Sequence, residues 1–206
     1  MHPALLLVVS YFLGGIPFAY VAGRMTRGID LRQHGSGNLG ATNVYRTLGG
    51  KIAVAVLLLD GLKGALPVLF FPQWSLIARP EQRILWAIAF GVAAILGHAK
   101  SPYLGWKGGG KGVATAAGVF FALAWLPMLV ALAVFLAVVL VSGYVSLGSL
   151  LAAVTLPTVI GARGGVGTPV FWVAIVVAAF VFWTHRANIG RLRRGEENRF
   201  GKKDRG

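Results

Sequence analysis

From Gly112 to Ala162 the chain carries not one Asp, Glu, Lys or Arg. About a quarter of the residues in an ordinary soluble domain are charged, whereas only 13% are charged across these 206 residues. A membrane span needs about 20 apolar residues, so the uncharged run holds two or three of them. The fold class that follows is an all-α polytopic membrane protein. Seven transmembrane helices are predicted along the chain. The first runs from about Ala4 to Gly23, the second from Ile52 to Phe71 and the third from Ile84 to Leu96. Three short spans divide the uncharged run at Pro127 and near Ser142–Gly143, and the last runs from Pro169 to Trp183.

Charge sets the orientation. The formal net charge is +14, but the basic residues lie between apolar segments and in the tail, so membrane topology explains them better than nucleic acid does. The tail after Trp183 holds Arg186, Arg191, Arg193, Arg194, Arg199, Lys202, Lys203 and Arg205, a cytoplasmic signature. With three crossings in the uncharged run, the loop of Lys100, Lys107 and Lys111 lies inside. So does the loop of Arg24, Arg27, Arg32, Arg46 and Lys51, and only Arg79, Arg83 and Arg163 lie outside. Two crossings would put the lysine loop on the wrong side. The N-terminus is therefore expected outside and the C-terminus in the cytoplasm. The first apolar run lacks a basic stretch before it, unlike a signal peptide. There is no cysteine, which excludes disulfides and thiolate metal sites. Residues 1–206 are read as one integral membrane domain with a basic tail, 199–206, expected to fray.

Three polar, glycine-rich segments remain, and parity puts all three on the inside face. In HGSGNLGATNVYRTLGG, from His34 to Gly50, Ser36, Asn38, Thr42 and Asn43 offer hydroxyls and amides. Arg46, three residues after Asn43, shares its face if the segment is helical. An interfacial turn would use the same residues. In GHAKSPYLGWKGGGKGVAT, from Gly97 to Thr115, consecutive glycines expose backbone N–H groups ahead of a helix. Such a loop attracts phosphate, and Lys107 and Lys111 add charge. In THRANIGRLRRGEENRF, from Thr184 to Phe200, His185 and Asn188 point the same way. A positive-inside flank explains the arginines of this segment but not His185 and Asn188. Glu196 and Glu197 read as partners of nearby arginines.

Asp60 and Lys63 stand within an apolar span, one turn apart. Ionisable groups are costly there, and their spacing suits an ion pair that supports the site or helps to position Arg46. No Ser-His-Asp or Cys-His set is present, and His34, His98 and His185 lack the spacing and carboxylates of a metal centre. The residues themselves thus describe a membrane site for a phosphorylated substrate at the cytoplasmic surface, with no metal and no cofactor. A phosphate transporter would need polar groups through the membrane depth, where only Asp60 and Lys63 qualify. A scaffold binding anionic lipid accounts for the basic tail but not for the KGGGKG loop.

Three stretches, SGNLGATNVYRTLG, GH…P…KGGGKGVAT and HRANIGRLRRGEE, together with GGIPFAYVAG and the DGLKG of Asp60 to Gly64, resemble the PlsY-type acyl-phosphate:glycerol-3-phosphate acyltransferases in order and spacing over essentially the whole chain. The resemblance implies a bacterial inner-membrane enzyme. It would move an acyl group from acyl phosphate to the 1-position of glycerol 3-phosphate, giving lysophosphatidic acid and phosphate. The partners implied are those two substrates and membrane lipid, with no nucleic acid and a monomeric state. It further implies that Ser36, Arg46 and Lys111 hold phosphate and that His185 and Asn188 hold the glycerol substrate. Gly108, Gly109, Gly110 and Gly112 would take the acyl-phosphate head, while Asn38, Thr42, Asn43, Lys107 and Thr115 line the pocket. The family pattern Phe-Lys-Gly-Gly-Lys-Gly reads WKGGGKG in this chain. Counting forward from Pro102 puts Lys111 on the second lysine and Gly108 on the first, so Lys111 rather than Lys107 is the expected phosphate ligand. Gly15 stands where the family often has Ser. Either His185 or a substrate phosphate can accept the proton of the attacking hydroxyl.

Overall fold

The fold begins with a helix that cannot continue. In this computed structural model, which describes residues 1–77 and 79–200, α1 (Pro3–Gly15) stops where Ile16 turns to extended ψ ahead of Pro17. A proline disfavours helical geometry in the residue before it and donates no hydrogen bond itself. The chain re-enters a helix as α2 (Phe18–Arg27), closed by Gly28 at a φ of 69°, the left-handed cap that glycine adopts without strain. The single first span expected from the sequence is thus two helices. They are followed by α3 (Ala41–Leu48), α4 (Gly50–Trp74), α5 (Arg83–Ala99) and α6 (Val113–Leu123).

These six helices form one compact unit, Met1–Leu123. Its helices meet closely because glycines face backbone. A Cβ on Gly14 of α1 would collide with the Ala94 backbone of α5, and one on Gly97 of α5 with the Tyr11 carbonyl of α1. Likewise Gly64 of α4 abuts the Thr115 carbonyl and Gly118 of α6 abuts the Gly61 carbonyl. Small residues at helix contacts are what association in lipid requires, since lipid supplies no hydrophobic drive between helices. Phe71 and Phe90 pack edge-to-face at 5.8 Å beside Leu6. A second cluster of Ala19, Leu31, Leu39, Val44, Leu48, Ala53 and Val56 seats α2 and α3 on the start of α4.

The second unit, Ala124–Gly206, contains α7 (Trp125–Ser142), α8 (Val145–Ile160), α9 (Pro169–Thr184) and α10 (Arg186–Arg193). The uncharged run divides at Ala124 rather than at Pro127, because a proline in the first turn of a helix loses no intrahelical bond. Its other break falls at Gly143, with a φ of 77°, as the sequence suggests. α8 packs between α7 and α9, and α8 leaves its last turn through a π-turn at Gly161–Gly165. α9 and α10 meet at a 60° bend. Leu140 and Val141 on α7, and Trp172 and Val176 on α9, are largely exposed, as befits side chains whose solvent is lipid. Of the tail expected to fray, Phe200 donates from its backbone to the Gly143 carbonyl at 2.6 Å, and Arg199 donates to the Tyr144 hydroxyl. Residues 201–206 lie outside the described residues.

Among the described residues there is no strand. Five helical segments, with α1 and α2 taken together, are long and apolar enough to cross a membrane, and six are when α9 and α10 count as one bent span. α6 has 11 residues, hence a length of about 16 Å against a hydrocarbon core of about 30 Å. The seventh crossing expected from the sequence therefore depends on a helix half the usual length.

Candidate active site

In the first unit two of the three polar segments come together. The His34–Gly50 segment opens as a loop in which Gly35 and Gly37 have φ of 61° and 70°. Asn43 on α3 fastens that loop. Its Oδ1 accepts from the Ser36 N–H at 2.9 Å, and its Nδ2 donates to the carbonyls of His34 at 3.0 Å and Leu31 at 3.3 Å. With 1% exposure, Asn43 shapes the loop from beneath, although the resemblance suggests a pocket-lining role. Arg46 lies on the same helix with its side chain exposed, Ser36 is exposed, and Asn38 and Thr42 are half-buried.

The glycine loop lies against this segment. Leu39 donates its N–H to the Gly109 carbonyl at 3.3 Å, and Arg32 donates to the Lys107 carbonyl at 3.2 Å. Its entry is set by Trp106, whose φ of 58° is unusual for a residue with a side chain. The indole N–H of Trp106 donates to the Tyr11 hydroxyl at 2.8 Å, which offsets the cost of about 1–2 kcal/mol for that conformation. Lys107 and Gly108 are exposed, whereas Gly109, Gly110 and Lys111 are half-buried and Gly112 is buried. The arrangement keeps Lys111, the expected phosphate ligand, nearer the protein than Lys107. Thr115 is fully buried where α6 meets α4, and its hydroxyl has no hydrogen-bond partner among the described residues. Gly15, the other departure from the family pattern, faces Pro102: a Cβ there would lie 2.5 Å from the proline ring. This chain therefore suits glycine at that position.

Beneath the loop the expected ion pair forms. Lys63 Nζ lies 2.6 Å from Asp60 Oδ1 and also donates at 2.8 Å to the Ile16 carbonyl, which accepts from the Phe18 N–H as well, at the α1–α2 break. His98 Nδ1 faces the same carboxylate oxygen at 3.6 Å. All three side chains are buried. The sequence suggests that the pair supports the site or positions Arg46, and its contacts are with His98 and the α1–α2 break.

Asp30, at the edge of the same loop, binds Arg32 through both carboxylate oxygens, the shortest contact being 2.7 Å. The Arg32 side-chain hydrogen bonds are the main reason that its pKa falls from 3.8 to about 2. A carboxylate with a depressed pKa stabilises the fold above its unfolded value, and that stability is lost as pH falls through the folded value. Thermal midpoints measured downward from about pH 4 to pH 2 will show this loss, and Asp30→Asn will remove that part of the slope.

The third segment lies in the second unit. His185 sits at the α9–α10 bend, 3% exposed. Its Nδ1 lies 2.8 Å from the Val181 carbonyl. A carbonyl only accepts, so the ring proton is on Nδ1 and Nε2 carries the lone pair when the ring is neutral. Asn188 is buried, as His185 is, and donates its amide to Glu197 Oε1 at 2.6 Å. Glu197 is the residue that the sequence hides. The sequence suggests a partner for arginines, and Arg191 does donate to its Oε2 at 2.7 Å. It also accepts from Ser146 on α8 at 2.9 Å, so one carboxylate ties Asn188, α8 and α10 together. Burial alone would push this carboxyl up, but the hydrogen bonds from Asn188, Ser146 and Arg191 outweigh it and hold it below the usual range. Glu196 pairs with Arg194 at the surface, as read from the sequence.

The fold and these loops define an integral membrane protein of helices that presents glycine-rich, basic segments suited to a phosphorylated ligand. Residues 4–195 match the family model described as glycerol-3-phosphate acyltransferase. Curated proteins of that name from Synechococcus sp. (strain CC9902) and Geobacter sulfurreducens are 46% and 45% identical, over 97% of this chain and 96% and 98% of theirs. Crystal structures of PlsY, an integral membrane glycerol 3-phosphate acyltransferase, superpose with TM-scores of 0.87 (its glycerol 3-phosphate form) and 0.83 (its lysophosphatidic acid form). They are 40% and 39% identical, and each comparison covers 97% of this chain and at least 95% of the solved one. The chain belongs to the glycerol-3-phosphate acyltransferase family, and it is a membrane acyltransferase.

Proposed function

We propose that this protein transfers an acyl group from acyl phosphate to the 1-hydroxyl of sn-glycerol 3-phosphate, giving lysophosphatidic acid and phosphate for phospholipid synthesis. The observation that carries the reading is the apposition of the Ser36 loop and the Gly108–Gly112 loop through the Leu39–Gly109 hydrogen bond. It gathers backbone amides, a hydroxyl and basic side chains of the kind that bind phosphate. The topology that agrees with the charge distribution has α6 as a short seventh crossing, the N-terminus outside, and the polar segments on the cytoplasmic face of a bacterial inner membrane. The protein acts as a single membrane-embedded domain and as a monomer.

Acyl phosphate carries its own leaving group, so the protein's task is alignment and charge stabilisation. The glycerol hydroxyl oxygen bonds to the acyl carbon, the bond from that carbon to the phosphate oxygen breaks, and phosphate departs. Ser36, Arg46 and Lys111 hold phosphate oxygens, and the Gly108–Gly112 loop receives the acyl-phosphate head. Asn38 and Thr42 line the pocket, while His185 and Asn188 hold the glycerol substrate. A substrate phosphate oxygen takes the hydroxyl proton. His185→Ala will therefore raise the KM for glycerol 3-phosphate yet retain measurable kcat. A loss of kcat of about 10⁴-fold would instead make His185 the obligatory base. The donor is tested by supplying glycerol 3-phosphate with acyl phosphate or with acyl-CoA. Lysophosphatidic acid is expected from the first only, and product from acyl-CoA would overturn the donor assignment.

A further inference from the structure

The Asp60–Lys63–His98 cluster takes no part in the chemistry above, yet it lies directly beneath the glycine loop. The loop rests on the end of α5. Gly110 donates its N–H to the His98 carbonyl at 3.2 Å, and a Cβ on Gly109 would collide with the carbonyls of His98 and Ala99. A Cβ on Gly110 would run into Nε2 of the His98 ring. The imidazole thus has two working edges, Nε2 under Gly110 and Nδ1 toward Asp60. Asp60 is fixed in turn by Lys63, which is anchored to the Ile16 carbonyl and lies over the Phe18 ring at 5.3 Å. Pro17, Phe18, Leu39, Lys63, His98 and Gly110 help to line a space of about 10 Å³, the size of one water.

We propose that His98, oriented by the buried Asp60–Lys63 pair, is a positioning residue that holds Gly109 and Gly110 in the conformation receiving the donor phosphate. The proposal rests on the reading of the glycine loop as the acyl-phosphate site. Its chemical reason is that amides recognise an anion only when their N–H vectors converge, and consecutive glycines have the least intrinsic order of any sequence. A rigid ring beneath them supplies that order at a point where no side chain of the loop can.

Two substitutions separate positioning from packing. His98→Asn keeps an amide N–H near the Nδ1 position, facing Asp60, and deletes the ring edge under Gly110. His98→Gln extends to the Nε2 position and refills it. In the full-length protein, His98→Asn is expected to raise the KM for acyl phosphate about tenfold, with kcat and the KM for glycerol 3-phosphate changed less than about twofold. His98→Gln should recover most of that loss. Hydrogen exchange at the Gly108–Gly112 amides should quicken in His98→Asn and slow again in His98→Gln, with or without turnover. An unchanged donor KM in His98→Asn, or a parallel rise in both KM values, overturns the proposal. Unchanged exchange at these amides does the same. A wild-type protein inactive with acyl phosphate, but whose loop exchange responds to His98 as described, would retain the positioning role and discard the donor assignment.

Discussion

Asp60→Ala will destabilise the protein by about 3–5 kcal/mol, because it leaves an ammonium buried without its counter-charge. Lys63 is 3% exposed and has Asp60 at 2.6 Å as its only carboxylate neighbour among the described residues. The Ile16 carbonyl alone cannot neutralise it. The change is read as a fall in thermal midpoint in detergent and in the yield of folded protein. Replacing both charges together, as Asp60→Leu with Lys63→Met, removes the desolvation cost with the pair and restores most of the stability. A stable Asp60→Ala protein would mean that the pair is not what holds α4 to the α1–α2 break. A double variant as unstable as the single one would mean that the loss comes from packing rather than from charge.

Glu197→Ala will lower kcat about 100-fold, a size typical when a reacting group is displaced by about an ångström. Glu197 touches no assigned ligand group itself. It holds Asn188 by the 2.6 Å amide bond and binds Arg191 and Ser146 with its remaining capacity. Glu197→Gln keeps the shape but turns one acceptor into a donor, and it should fall between wild type and alanine. Since this carboxyl lies below its usual range in the fold, its contribution to stability is present at neutral pH and is lost as acid protonates it. Turnover by Glu197→Ala equal to wild type would show that Asn188 needs no such support.

The membrane class of the fold was open to a sequence reading because composition alone decides it. The run from Gly112 to Ala162 has no soluble explanation. Boundaries were less legible, and proline explains why. Pro17 breaks the first helix while Pro127 sits quietly in the first turn of α7, and Pro67 and Pro72 ride inside α4. The same residue type has three outcomes, set by which carbonyl loses a partner and what else can satisfy it. At the Ile16 break the carbonyl takes the nearby Phe18 N–H and also Lys63, 47 residues away.

Among the site residues, local spacing foretold the Asp60–Lys63 pair, since i and i+3 are neighbours on any helix. It could not foretell that His98 completes the cluster or that Ser146 reaches Glu197, because these contacts join segments far apart in the sequence. Asn43 illustrates the other limit. An amide in a glycine-rich loop reads equally as ligand or as fastener, and only the carbonyls that surround it decide.

Phosphorus NMR of the purified protein with acyl phosphate and sn-glycerol 3-phosphate follows every participant in the reaction at once. Acyl phosphate and glycerol 3-phosphate signals should decay together while inorganic phosphate and 1-acyl lysophosphatidic acid grow in equal amounts, and acyl phosphate should persist when glycerol 3-phosphate is omitted. Phosphate released without matching lysophosphatidic acid, or acyl phosphate left unconsumed by folded protein, would exclude acyl transfer from acyl phosphate to glycerol 3-phosphate.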